Sequence, residues 1–324
     1  MMMNSNSQSQ SAPLIRETTA KADVSPYSSK KYLQWIEKAK DFMFAVPALI
    51  FLGVFLYYPL MNSVYISFTN WNMTKPVKKF VGTDNYVKLF KNEDLYQSLK
   101  VTLHYTLLDV VLTLTIGLML ALLFNVFRSK MYAVMRGIIF MPHYISMVIA
   151  AMVFTWIYNG QYGLLNRVTD LMGLEPIQWL TNPSTALPAL VAVSVWKGVG
   201  FAMMLFISGM RGIPNEYYEA AAIDGASGLS RFRYITLPLL SPMTLFLVIT
   251  TFISSMQVFQ SIDIMTNGGP LQATNAIVYW IYTMAFTEFK TGRASALVMI
   301  LFVIILVLTI IQWLVSRKQV HYEG

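Results

Sequence analysis

The 324-residue chain contains no cysteine, which excludes disulfide frameworks, thiolate metal sites and cysteine nucleophiles. Charge is scarce as well: Asp, Glu, Lys and Arg make up 12% of the residues, about half the ~25% usual in soluble domains. No Gly-Lys dipeptide occurs, so the chain lacks the Gly-x4-Gly-Lys-Ser/Thr phosphate loop and any ATP site of that kind. His104, His143 and His321 are too far apart for a metal cluster, and no carboxylate pair accompanies them at helical spacing. No metal is assigned. No clustered nucleophile, base and metal ligand is present either, which argues against an enzyme.

What the chain has in excess is apolar sequence. Hydrophobic residues account for 56% of it, and they gather in runs near the ~20 residues needed to cross a bilayer. The expected fold class is an all-α integral membrane protein with about six spans, at roughly 42–65, 98–127, 137–158, 187–209, 242–264 and 294–315. The first run begins near Phe42, too deep for a cleaved signal peptide, and reads as an uncleaved span. The formal charge of +8 is spread through loops with no basic domain, so the partner is the lipid bilayer rather than nucleic acid.

Residues 1–41 form a polar N-terminal tail, with Tyr32, Leu33, Trp35 and Ile36 among lysines as a short interfacial helix at its end. Six spans place both termini on one side. Arg128, Lys130, Arg136, Arg211, Arg231 and Arg233 occupy short loops on that side, which puts the tail and residues 316–324 in the cytoplasm. Between the fifth and sixth spans, Asn267-Gly268-Gly269-Pro270 signals a turn. Residues 276–286 are apolar but only about half a span long, an interfacial or re-entrant helix; taken as a full crossing they give a seven-span alternative.

A polar segment of about residues 210–241 separates the fourth and fifth spans. Pro214 suits a first helical turn, and Glu216 and Glu219 suit the positive end of a helix dipole. Glu219, Ala220, Ile223 and Asp224 fall on neighbouring faces, with Ala220 to Ala222 leaving the surface small. Gly225 permits a left-handed cap, Ser227 can cap a second helix, and Pro238 is expected to end it. Local physics alone also allows a merely solvated loop.

The spacing Glu219-Ala220-Ala221, then Gly225, then Ile235-x-Leu237-Pro238 resembles the coupling loop of inner-membrane permeases of binding-protein-dependent ABC importers. The resemblance covers about residues 42–315 and points to the maltose/glycerol-phosphate-type sugar branch, oligosaccharide and alginate importers included. Phe80-Val81-Gly82-Thr83-Asp84-Asn85-Tyr86, Tyr162-Gly163-Leu164-Leu165-Asn166 and Thr266-Asn267-Gly268-Gly269-Pro270 look like that branch's three outside loops, in order. The resemblance implies a type I importer permease fold in a bacterial inner membrane, with Glu216, Glu219, Ala220, Ala221, Asp224, Gly225, Leu237 and Pro238 coupling to an ATPase. It implies as partners a second, different permease subunit, two ATPase subunits holding ATP and Mg, and an extracytoplasmic solute-binding protein.

Lys197 lies mid-span, where a charge needs protein, water or a partner; snorkelling or pairing with Asp109 or Asp263 is the structural reading. The stretch resembles one lining the sugar cavity in the family, which implies a substrate path through Ser194, Lys197, Gly198 and Phe201. In the fifth span Thr251, Ser254, Ser255 and Gln257 occupy similar positions, although hydroxyls between helices also serve packing. A cavity lysine favours an acidic sugar. The rival reading is an ion-coupled secondary transporter relaying through Lys197, Asp109 and Asp263; it leaves the coupling loop unexplained.

Overall fold

The computed structural model describes residues 40, 42–74, 77–126 and 129–317. The expected tail with its interfacial helix, Arg128 and residues 318–324 lie outside them. Two compact units divide the chain, one ending at Leu60 and one beginning at Met61. The first shows residues 42–60 as apolar helix with no buried side chain; these residues belong to α1, Phe42–Ser67, wound as a π turn over Gly53–Tyr57.

In the second unit, α2 is Asp84–Phe90 and α3 is Glu93–Val126, which opens with Glu93 and Asp94 where the dipole favours acids. Next come α4, Lys130–Phe140, the 3-10 turn Met141–Tyr144, and α5, Met147–Ile157. A short helix α6, Leu164–Leu171, precedes α7, Pro183–Gly212, started by Pro183 and by Asn182, whose side chain accepts from Ser184 N–H at 3.0 Å. Then follow α8, Asn215–Ile223; α9, Gly228–Leu239; α10, Ser241–Met256; α11, Gln260–Met265; α12, Ile277–Thr287; and α13, Thr291–Arg317. Among the described residues four helices are long and apolar enough to cross a bilayer, or up to six if two bent pairs each count as one span.

Both bends have local causes. The pair Lys130–Tyr144 and Met147–Ile157 turns by 101° where Pro142 brings no N–H to the helical ladder. The pair Gly228–Leu239 and Ser241–Met256 turns by 62°, with Pro242 in the first turn of α10. The expected continuous run over 242–264 is interrupted: α10 stops at Met256 and α11 begins only at Gln260. Residues 276–286 fall on α12, whose 277–287 length is too short to cross, and Ile277, Trp280 and Met284 are buried against Leu95, Phe252 and Leu297.

Helices with nothing but lipid as the alternative solvent associate through close packing rather than through the hydrophobic effect. Small residues on α7 provide that approach. A Cβ on Gly117 of α3 would stand 2.7 Å from the Ala202 Cβ, and one on Gly198 would stand 3.2 Å from Thr113 Cγ2. At Gly200 an added Cβ would meet the Ile139 carbonyl oxygen at 2.2 Å, so the end of α4 rests directly on α7. Buried clusters then fill the spaces, one around Phe124, Met203, Phe206, Leu240 and Leu247 and another around Tyr105, Leu190 and Ile262.

Candidate functional site

Where α3, α7, α10 and the 3-10 turn converge, a cavity of about 470 Å³ opens, within the ~300–1,000 Å³ range of small-molecule sites. Ser194, Lys197, Gly198 and Phe201 line it from α7, and Thr251, Ser254 and Ser255 from α10. Gln257 joins them from the break after α10, together with Val258 and Phe259, and Gln260 from the start of α11. Irregular backbone at membrane depth is tolerated where it lines a cavity, which accounts for the interrupted fifth span. All eight residues that the sequence pointed to as a substrate path thus surround one space.

Among the described residues Lys197 pairs with no carboxylate. Its Nζ donates to the carbonyl oxygens of Pro142 at 3.2 Å and His143 at 3.5 Å, and to that of Ile145. Two of these acceptors belong to the 3-10 turn and Ile145 follows it; Pro142 O also accepts from Ile145 N–H at 3.1 Å, and Gly200, one turn further along α7, lets the end of α4 just before the turn come close. His143 stacks on Phe201, with centroids 4.8 Å apart and planes 9° from parallel, and both residues line the cavity.

Asp109, 4% exposed, lies across the cavity lining on α3. Thr113 Oγ1 donates to its Oδ1 at 3.3 Å and Ser255 Oγ to its Oδ2 at 2.5 Å. Tyr105, Asp109 and Thr113 all line the cavity at four-residue spacing, one face of α3. That spacing was present in the sequence and would have found Tyr105 and Thr113. Asp263 sits on α11, outside the cavity lining. The relay of Lys197, Asp109 and Asp263 is therefore not assembled, and among the described residues the ion pairs are Lys88–Asp84 and Lys290–Glu288.

The polar loop forms a second, separate surface. Pro214 precedes α8 in extended geometry instead of opening it, so Glu216 alone of the two glutamates lies in the first turn. Gly225 has φ +75°, with Ala226 N–H bonding Ala221 O at 2.8 Å and Gly225 N–H bonding Ala222 O at 3.1 Å. These two bonds make a Schellman cap, which needs the left-handed residue that glycine supplies. Ser227 then caps α9, accepting from Ser230 N–H at 3.3 Å. Tyr218 and Thr236 share a hydrogen bond of 3.0 Å that ties α8 to α9.

Pro238 does not end α9. A π turn over Phe232–Thr236 brings Leu237 N–H to Phe232 O and carries the helix through the proline to Leu239. Glu216, Glu219, Ala220, Asp224, Gly225 and Leu237 are exposed, and Ala221 and Pro238 partly so. Ile223 and Leu229 stand out beside them at 88% and 76% exposure. Glu219 has no ion-pair partner among the described residues.

The family described as binding-protein-dependent transport system inner membrane component matches residues 113–321, a stretch that contains both the loop and most of the cavity. The chain belongs to this family. As such a permease it is the inner-membrane component of an ABC transporter, with the all-helical fold of type I importers. It is 34% identical over 288 residues to the trehalose/maltose transport system permease protein MalF of Thermococcus litoralis, covering 88% of this chain and 96% of that one. It is 31% identical over 289 residues to the sn-glycerol-3-phosphate transport system permease protein UgpA of Agrobacterium fabrum, covering 88% and 97%. A solved bacterial ABC transporter that imports the acidic polysaccharide alginate contains a chain that superposes with a TM-score of 0.77 at 25% identity, covering 88% of this permease and 98% of that chain.

Proposed function

We propose that this permease imports a carbohydrate, received from an extracytoplasmic solute-binding protein and moved through the cavity between α3, α7 and α10. The observation that carries the reading is the cavity's composition: Ser194, Thr251, Ser254, Ser255 and Gln257 offer hydroxyl and amide partners beside the stacked face of His143 and Phe201. A flat apolar face with a few fixed polar groups suits a sugar ring. The names of the relatives, trehalose/maltose and glycerol phosphate among them, support the same class.

The permease itself is the non-catalytic subunit. ATP and Mg belong to two ATPase subunits on the cytoplasmic side, and the exposed loop docks there, with Glu219 as the docking carboxylate and Gly225 fixing the corner between α8 and α9. A second, different permease chain completes the pathway, and both termini lie in the cytoplasm. The test is uptake of radiolabelled maltose, trehalose and longer oligosaccharides by proteoliposomes holding the full transporter and its binding protein. ATP-dependent accumulation of one of them is expected. Accumulation of amino acids or peptides with no sugar uptake would overturn the carbohydrate reading.

A further inference from the structure

Lys197 and Asp109 are the two fully charged residue types in the cavity lining, and the structure employs them in opposite ways. An ammonium has three protons to donate. Those of Lys197 face three backbone carbonyl oxygens, of Pro142, His143 and Ile145. Turning the amine toward a cargo anion would strip it from these acceptors; Pro142 O would keep the N–H of Ile145 at 3.1 Å, and the carbonyls of His143 and Ile145 would lose this donor. The lysine is occupied with the bend.

Asp109 is in the reverse position. An ionised carboxylate accepts at about four lone-pair sites, and three are used, by Thr113, Ser255 and Ser194. No cation pairs with it among the described residues. All three of these partners are hydroxyl donors, and a sugar hydroxyl is a further donor of the same kind. An anionic group brought to the same place would meet like charge in a partly desolvated space, where repulsion is only weakly screened.

Resting on the carbohydrate reading above, we infer that Asp109 is the specificity-determining residue of this half of the passage: it accepts hydroxyls of a neutral polyhydroxyl cargo and disfavours an acidic one, while Lys197 braces the bent third span. The inference reverses the acidic-sugar preference that Lys197 pointed to from its position in the sequence.

Because the chain has no cysteine, a single Ser254→Cys gives it one thiol, on a cavity-lining residue next to Ser255. In the complete reconstituted transporter, its rates of modification by a cationic and an anionic methanethiosulfonate report the local potential, read by mass spectrometry of this chain. After normalisation to a free thiol, we expect the cationic reagent to be favoured by about tenfold and the preference to fall toward unity in Asp109→Asn. A preference for the anionic reagent that disappears in Lys197→Met, or no preference at all, overturns the inference. Should Asp109→Asn fail to assemble, the sign of the preference in Ser254→Cys alone decides. Sugar uptake with an anion-preferring cavity would sink this inference and leave the carbohydrate reading standing; a cation-preferring cavity with no sugar uptake would overturn the carbohydrate reading and, with it, the polyhydroxyl cargo assigned to Asp109.

Discussion

Lys197 Nζ lies 3.2 Å from the carbonyl oxygen of Pro142, fifty-five residues earlier in the chain. The contact joins α7 to the point where the third span turns by 101°. A proline creates the bend and a lysine from another helix satisfies it.

Lys197→Met keeps the length of the side chain and removes the donor. Pro142 O keeps the N–H of Ile145, so the loss is that of the hydrogen bonds to a charged donor, about 1.5–3 kcal/mol for such a bond, and the complex is expected to lose a few degrees in thermal unfolding followed by fluorescence size exclusion. Lys197→Arg, which keeps donors, should recover part of that loss. An unchanged midpoint for Lys197→Met would show that the carbonyls do not depend on it.

Gly200→Ala should be among the most damaging single changes in the membrane region. Its Cβ would sit 2.2 Å from the Ile139 oxygen and 2.7 Å from the Phe140 Cα, both backbone and unable to move cheaply. Overpacking of this kind costs typically ~1–3 kcal/mol or more, and membrane levels of the assembled transporter should fall accordingly. Gly137→Ala is the control, since nothing lies within 4 Å of its added Cβ.

Phe201→Ala removes the ring that stacks on His143 at 4.8 Å. Stacked aromatic pairs contribute ~0.5–1.5 kcal/mol beyond the area they bury, so uptake at low substrate should drop several-fold. Phe201→Tyr should retain most of it. Initial uptake rates in proteoliposomes against loaded binding protein measure both.

Much of the coupling loop was legible because it is local. Glu219, the alanines, Gly225 and Ser227 lie within nine residues, and caps and left-handed glycines follow from near neighbours. Pro238 misled because the π turn before it changes which N–H meets which carbonyl, a register that composition does not encode. Seven of the eight cavity residues converge because α7 and α10 each present one face to the same space, and Gln257 joins them from the break after α10. The role of Lys197 was hidden for a different reason: its partners are backbone atoms, which carry no side-chain signature, and they are brought near only by the bend. Hydropathy likewise did not place the break at Gln257: the polar residues around it, Ser254, Ser255, Gln257, Gln260 and Ser261, lower the profile over the whole stretch without marking where the helix stops.

Gly225→Val forces a β-branched residue into φ +75°, a conformation that costs such residues of order 1–3 kcal/mol. Transport should fall while insertion in the membrane is retained, because the Schellman cap sets the angle between α8 and α9 and nothing else packs within 4 Å of that site. Gly225→Asn, which tolerates the left-handed region, should be milder. Uptake normalised to permease content in the membrane distinguishes the two.

The central claim, that an exposed carboxylate on this loop links the permease to its motor, is tested most directly by Glu219→Ala in the purified, membrane-inserted complex. The account predicts that the ATPase subunits no longer co-purify with the permease and that ATP-dependent uptake falls at least tenfold, with the permease still inserted. Unchanged co-purification and uptake would contradict it.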